Sequence, residues 1–498
     1  MNIRTIIYIL GWVLNIEGLF MLLPYIVSIV YKENEGGAFL AVAILCIVAG
    51  ILLSLKKPKN TEIYAKEGFV TVAFSWILFS FFGCLPFVIN GDIPNFTDAL
   101  FETVSGFTTT GASILLNVEA MSKCSLFWRS LTIWIGGMGV LVLLLAVKPL
   151  KGGSQIHILR AESPGPSVER LVPKIQNTAV VLYVIYIILT VLEFLFLIAG
   201  DMPVFDAITA AFSTAGTGGF SIKSDSYMSY SPYIQWVVGV FMMLFGINFG
   251  AYFMLYIKHF KQAFKYEEVR YFIFIILLAT FIIFTNIYTR DLGVEETARQ
   301  AFFQVSSIIT TTGFSSVDFN LWPSESKVIL VLLMFIGACA GSTGGGIKVS
   351  RVAMLLKTVK KEIMINVHPG SVKKIKMEGK VVNHEVIRAT NVFFITYMVI
   401  LVTSVFILAF DEHDLVTNFT AVVATLNNIG PGLEQVGPMG NYASFTPLSK
   451  YVLMFNMLAG RLELYPMLMI FHLGMWKTAI VPPIKSKISK IKNKKTRA

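Results

Sequence analysis

The stretch FTTTGAS, Phe107 to Ser113, carries no charge and sits between long apolar runs. β-Branched threonines and a glycine suit neither a helix interior nor a core strand. Nearly the same phrase, TTTGFSS, returns about 200 residues later at Thr310 to Ser316. Two looser versions occur as STAGTGGFS (213–221) and NNIGPGL (427–433). Each follows a short semi-apolar segment and precedes a long apolar one. A repeat of this kind is a signal about the whole fold.

The composition agrees with a chain inside lipid. Of 498 residues, 55% are hydrophobic and only 14% charged, against about 25% charged in an average soluble domain. Apolar stretches of about 20 residues recur, which means a polytopic membrane protein. The first follows MNIR without a small-residue cleavage site and reads as a retained helix. Cys46, Cys84, Cys124 and Cys339 are scattered singly, with no metal-ligand spacing, and read as small hydrophobes. The histidines are equally dispersed, so nothing points to a metal-hydrolase or redox site. A membrane-embedded enzyme would need clustered intramembrane acids or histidines, and these are scarce.

Two plain spans, about 5–30 and 37–55, come first. Four units follow, each a long helix, a short segment, a Thr/Gly/Asn loop and a second long helix. The long helices are expected near 69–89 and 126–147, 177–199 and 232–257, 269–288 and 326–357, and 386–410 and 447–477. The short segments are expected at 96–107, 204–213, 295–309 and 414–427. They are too short to cross a hydrocarbon core of about 30 Å at about 1.5 Å per residue. Acidic residues near their starts, Asp98, Glu102, Asp206, Glu295, Glu296 and Asp414, suit helix N-termini. The fold expectation is an all-α polytopic membrane protein with four tandem helix–pore-helix–filter-loop–helix repeats in pseudo-fourfold arrangement. By segment this reads 1–60 (two N-terminal helices), 61–150, 151–260, 261–380 and 381–480 (repeats one to four), and 481–498 (a basic tail).

The net charge is +11. Lys and Arg concentrate at 56–66, 148–174, 258–270, 357–388 and 477–497, which is the signature of cytoplasmic segments. Both termini then fall in the cytoplasm and all four loops face outside. The tail KSKISKIKNKKTRA reads as solvated or lipid-facing, not as a nucleic-acid site.

Non-helical backbone at membrane depth is tolerated where it lines a water-filled path. Glycine allows successive carbonyls to turn toward one axis, threonine adds a hydroxyl, and a ring of such oxygens can replace the hydration shell of a cation. A single such loop is more simply an ordinary turn; four in register are not.

With these loops on the page, together with RAESPGP (160–166), PKIQNTA (173–179), GACAGSTGGGIKVSR (337–351) and MLAGRLELYP (457–466), the chain resembles the TrkH-type subunits of the Trk/Ktr/HKT potassium transporter superfamily over essentially its whole length. The resemblance implies potassium uptake as the function and no catalysis. It implies potassium-lining triplets at Thr109-Thr110-Gly111, Gly216-Thr217-Gly218, Thr311-Thr312-Gly313 and Asn428-Ile429-Gly430. A glycine in every loop is the potassium-permissive pattern; a serine at Gly111 would have hinted at sodium. The fourth loop departs from threonine, so selectivity is expected to be real but weaker than in a symmetric channel, and a poorly selective or sodium-permeable transporter is the alternative.

Gly341, Ser342, Thr343, Gly344, Gly345 and Gly346 should unwind the third repeat's second helix, since each interior glycine costs about 1 kcal/mol. The spacing to Lys348 and Ser350 does not match a P-loop. A close-packing glycine patch is the plain reading; the resemblance implies an intramembrane gating loop. Arg461 lies well inside the last span, two residues before Glu463. It reads as a snorkelling or Glu-paired structural residue, or, by resemblance, as a pore-facing barrier. Asn248 is polar at mid-span and reads as a packing hydrogen bond or a pore-lining group. The resemblance further implies potassium as substrate, no organic cofactor on this chain, a TrkA-type cytosolic partner that binds NAD or ATP, a homodimer and the inner membrane of the cell.

Overall fold

The computed structural model describes residues 2–58, 64–139, 175–260, 265–288, 292–369 and 373–472. The RAESPGP motif and the basic tail lie outside the described residues, as does the whole 148–174 basic segment.

Two antiparallel helices, Ile3–Tyr31 and Gly36–Ser54, begin the fold and pack along each other. Small residues let them approach: a methyl group on Gly11 would lie 2.8 Å from Gly50 O, and one on Gly18 2.8 Å from Ala43 O. Close backbone contact of this kind is how helices associate where lipid supplies no hydrophobic drive. The pair covers the first repeat. Its outer helix Ala65–Asn90 has 56% of its apolar window buried, whereas the other three outer helices have 28% each. Those three, Ile175–Ala199, Glu267–Ile287 and His384–Leu408, turn their apolar side chains outward, as lipid-facing spans do. Among the described residues, six helices are long and apolar enough to cross a membrane, or seven if one bent pair counts as a span. The protein is a multi-pass membrane protein.

The short helices are Phe96–Phe107, Val204–Ala215, Gly293–Ile309 and Leu415–Leu426. Capping fixes two of their starts: Asn95 Oδ1 accepts from Thr97 N and Asp98 N, and Asp414 accepts from Thr417 N. The others have Asp206, and Glu295 with Glu296, in the first turn, which complements the helix dipole.

The inner helices depart from expectation. They were expected as long single helices, apart from the third. The first runs Lys123–Met138 with Gly139 as its C-cap, and residues 140–147 of its expected range lie outside the described residues. The second is Pro232–Gly246 followed by Phe249–Tyr256, bent by 89°. The third, Ser324–Ile336, is interrupted before Val349–Val367 as expected, and the fourth breaks between Pro447–Arg461 and Tyr465–Ile470. Asn248 is the N-cap of the resumed second helix, accepting from Gly250 N at 2.7 Å. Glu463 and Leu464 at the fourth break hold left-handed φ values of 59° and 66°, after which Pro466 opens the next helix. A small two-stranded hairpin, Lys376–Met377 with Lys380–Val381, is the one β element among the described residues.

Candidate functional site: a ring of four loops above a glycine-rich strap

Each short helix ends in the same way. Thr109, Thr217, Thr311 and Asn428 adopt left-handed φ of 54°, 53°, 58° and 55°. The next residue's N–H returns to the helix: Thr110 N to Ser105 O, Gly218 N to Ser213 O, Thr312 N to Ser307 O and Ile429 N to Ala424 O, at 2.8–3.0 Å. Left-handed backbone is an outlier for a β-branched residue and costs about 1–3 kcal/mol, so surrounding structure must hold it there. Asparagine tolerates this region best after glycine, which accounts physically for the fourth loop's change of residue.

A second positive φ follows two residues on, at Gly111 (76°), Gly219 (70°), Gly313 (84°) and Gly430 (100°). These φ values and the hydrogen bonds set the register of the second loop as Thr217-Gly218-Gly219. The triplet expected from the sequence, Gly216-Thr217-Gly218, is displaced by one. GTGG offers two readings on paper, and only the backbone conformation separates them.

The glycines close a ring. A methyl group on Gly111 would lie 2.2 Å from Gly218 O, on Gly219 2.2 Å from Thr312 O, on Gly313 1.9 Å from Ile429 O, and on Gly430 2.7 Å from Thr110 O. The loops therefore follow one another in chain order, with the first opposite the third. No side chain fits at these four contacts. Thr108 to Thr110 and Thr310 to Thr312 are fully buried, and hydroxyl pairs Thr108–Thr110 and Thr310–Thr312 sit 2.8 Å apart. Above the ring opens a polar cavity of about 250 Å³ lined by residues including Gly111, Gly219, Gly313 and Gly430.

Beneath the ring lies the third-repeat strap, residues 337–348. Left-handed φ at Gly337, Gly341, Gly346 and Lys348 breaks the helix. Gly345 N donates to Thr311 Oγ1 at 2.6 Å. Methyl groups on Gly344 and Gly345 would meet Thr310 O (2.8 Å) and Asn427 O (2.4 Å). The strap also touches the second repeat: Cys339 N donates to Gly246 O, Phe249 N to Gly341 O, and Thr343 Oγ1 to Phe245 O. Its ends are pinned by one carboxylate, Glu268, whose Oε1 accepts from Ala340 N at 2.7 Å and Ser350 N at 3.1 Å. The glycine patch thus packs closely, and it does so against the ring.

Arg461 is buried at the end of its helix, not inside a continuous span. Its Nη1 donates to Thr343 O at 2.7 Å, and its Nη2 to Gly136 O and Gly137 O at 2.6 Å each. One guanidinium therefore ties the strap to the first and fourth repeats. Glu463 accepts from Arg351, which follows the strap. Lys348 is fully buried, and its Nζ donates to Gly344 O within the strap. The four cysteines are free and buried, and among the described residues no His/Cys/Asp/Glu group could hold a metal ion.

A family profile described as TrkH, a cation transport protein, matches residues 36–477. The chain belongs to the TrkH family. It is 37% identical over 489 residues, 96% of this chain and all of the relative, to a protein from Salmonella typhimurium named Trk system potassium uptake protein TrkH. It is 32% identical to the Trk system potassium uptake protein TrkG of Escherichia coli, covering 96% of this chain and 99% of the relative. The crystal structure of the potassium transporter TrkH from Vibrio parahaemolyticus superposes with a TM-score of 0.86 at 34% identity, covering 96% of this chain and 100% of that one. TrkH-family proteins are transporters, not enzymes.

In this TrkH-family chain, sequence reading did not single out Glu268 or the Arg351–Glu463 pair as strap anchors. The available signal was charge: acids and bases flanking an apolar break are costly unless partnered. Lys348 carried the same signal but was considered only as a failed P-loop lysine.

Proposed function

We propose that this chain carries potassium ions across the cytoplasmic membrane, the inner membrane where the cell has two, through the four-loop ring. The observation that carries this reading is the cyclic glycine-to-carbonyl contact of four non-helical loops. Such backbone is stable in a membrane only where it is enclosed or lines an aqueous path. In the proposal, the oxygens of Thr109, Thr110, Thr217, Gly218, Thr311, Thr312, Asn428 and Ile429 replace an ion's water, and Gly111, Gly219, Gly313 and Gly430 permit the spacing. Gly216 then lies just before the ring. The short helices aim their negative C-terminal ends at the same place. The names of the similar proteins support potassium as the ion.

The strap Gly341, Ser342, Thr343, Gly344, Gly345 and Gly346 is the gate in this reading. It occupies the space beneath the ring and uses Thr311 Oγ1, an oxygen the ion would otherwise meet. Arg461 is its latch. Opening breaks the Arg461 and Gly345 hydrogen bonds while Glu268 keeps the ends in place. A TrkA-type cytosolic subunit that binds NAD or ATP would drive opening, acting on a homodimer whose termini lie in the cytoplasm. Transport is passive or coupled to another ion.

The test is complementation of a potassium-uptake-deficient bacterium on low-potassium medium, with the cytosolic partner supplied. Growth is expected; failure despite good membrane expression overturns the reading. The second loop offers glycine where loops one and three offer threonine, and this favours discrimination against sodium that is moderate.

A further inference from the structure

The four loops are not equally stiff. Loops one and three each carry the internal hydroxyl pair, Thr108–Thr110 and Thr310–Thr312. Loop four is held by Asn428, whose Nδ2 donates to Thr110 Oγ1 and Met457 O, and by Tyr442, whose hydroxyl donates to Gly430 O at 2.7 Å. At the matching positions loop two has Gly216 and Gly218, which offer no side chain, and the Thr217 hydroxyl reaches only the adjacent Gly216 O, at 2.7 Å. Three glycines in four residues leave that backbone the freest of the four.

What faces loop two is a buried ion pair. Glu102, on the first short helix, and Arg129, on the first inner helix, are both almost fully enclosed. Arg129 Nε and Nη2 donate to Glu102 Oε1 at 2.9 and 2.7 Å. The carboxylate also accepts from Ser113 Oγ and Ile114 N, which lie just beyond Gly111. Arg129 Nη1 reaches across to Ser221 O, just beyond Gly219, at 3.2 Å. Its guanidinium stacks on Phe220 at 4.1 Å. One planar cation therefore joins the outer limbs of loops one and two, next to the Gly111–Gly218 contact. At the other junctions the direct links between loops use backbone and neutral side-chain groups. The ion pair Lys450–Asp98 joins the fourth inner helix to the first short helix, and Arg299 joins the third short helix to Gln235 of the second inner helix. Ser315 and the Ser226–Tyr227 stretch link loops two and three, Asn320 and Glu434 link three and four, and Tyr442 N with Ser113 O links four and one.

We propose that Glu102 and Arg129 are positioning residues for cation discrimination. They hold the glycine-rich loop at the spacing that its own residues cannot fix. This rests on reading the ring as the filter. The fork geometry matters: a lysine at position 129 could meet Glu102 but could not at the same time reach Ser221 O and stack on Phe220.

The experiment compares rubidium and sodium uptake by full-length protein in proteoliposomes for wild type, Arg129→Lys, the doubly neutral Glu102→Gln/Arg129→Gln, and Gly111→Ser. The double variant leaves no buried charge uncompensated. Arg129→Lys and the double variant are expected to lower the rubidium-to-sodium ratio about tenfold, about 1.4 kcal/mol of differential binding, at unchanged protein yield. An unchanged ratio in both, with Gly111→Ser altered, overturns the positioning role and leaves the filter reading standing. An unchanged ratio in all three overturns the filter reading itself. Failure of both pair variants to reach the membrane assigns the pair to folding alone and also overturns the proposal.

Discussion

Gly111 faces the carbonyl of Gly218 so closely that a methyl group would lie 2.2 Å from the oxygen. The same relation links Gly219 to Thr312, Gly313 to Ile429 and Gly430 to Thr110, and the last closes the ring through residues more than 300 positions apart.

Substitution of the ring glycines should follow this geometry. All four hold positive φ, so any side chain is strained, but the space differs. Gly313→Ala, at 1.9 Å from Ile429 O, should be the most damaging, Gly111→Ala and Gly219→Ala intermediate, and Gly430→Ala, at 2.7 Å from Thr110 O, the mildest. Rubidium uptake by matched amounts of each variant checks the order. Losses of about tenfold or more are expected for the first three, since one clash of a kilocalorie or two is already a tenfold effect. An order unrelated to the contact distances would overturn the ring as the conducting element.

Arg461 should act as a latch. Each of its hydrogen bonds is charge-assisted and contributes about 1.5–3 kcal/mol. Arg461→Gln keeps a polar group but cannot span Thr343 O and both glycine carbonyls. Rubidium leak in proteoliposomes without any cytosolic partner should rise about tenfold or more, because losing about 1.4 kcal/mol of closed-state preference shifts the population by that factor. A lower or unchanged leak at equal yield counts against the latch.

How much of this was legible beforehand differs from part to part. The four units were visible because the loop phrases recur and the short helices have acidic residues near their starts. The interruption at Gly341 to Gly346 was visible because four glycines cannot sit in one helix turn. The breaks at Ile247–Asn248 and at Leu462–Leu464 were not, because apolar residues resume on both sides of the single polar or charged groups Asn248, Arg461 and Glu463. They coincide with close contacts: Gly246 lies against Thr310 and Phe272 of the third repeat, Gly460 lies against Leu426 O of its own repeat, and Arg461 reaches the first and third repeats. Hydropathy registers burial in lipid but not the point where a helix meets a strap. Arg461 was accordingly placed inside a continuous helix when it ends one. The signals that could have located these ends were Asn248, an N-cap residue, and Pro466, a helix opener.

Outside the spans, Glu119 clasps loops one and two: it accepts from Ser224 N at 2.9 Å and Ser224 Oγ at 2.5 Å. The Ser224 hydroxyl holds the Glu119 carboxyl below its ordinary value, against a smaller opposing effect of burial. A depressed folded-state pKa contributes stability that is present above the unfolded value and lost as pH falls through the folded one. At neutral pH the clasp is therefore fully engaged. Glu119→Gln should lower the melting temperature of detergent-solubilised protein slightly at pH 7. That difference should shrink at pH values below the ordinary carboxylate range, about 4. A pH-independent difference would show that the charge is not what closes the clasp.

Thr109 and Thr311, on opposite loops, are geometrically alike but differ in what they touch. Thr311 Oγ1 accepts from Gly345 N of the strap, whereas Thr109 Oγ1 has no hydrogen-bond partner among the described residues. Valine replaces the hydroxyl by a methyl at nearly the same volume, so each substitution removes one oxygen from the ring. Thr311→Val additionally leaves the Gly345 N–H buried and unsatisfied in the closed state, a cost of about 1–3 kcal/mol. Both variants should conduct less well once the partner has opened the gate. Without the partner, Thr311→Val alone should show a raised leak, about tenfold for a cost near the lower end of that range. Rubidium flux with and without the cytosolic partner separates the two effects. Equal leaks from Thr109→Val and Thr311→Val would mean that the Gly345 contact does not hold the strap closed, and that Arg461 and Glu268 keep it there unaided.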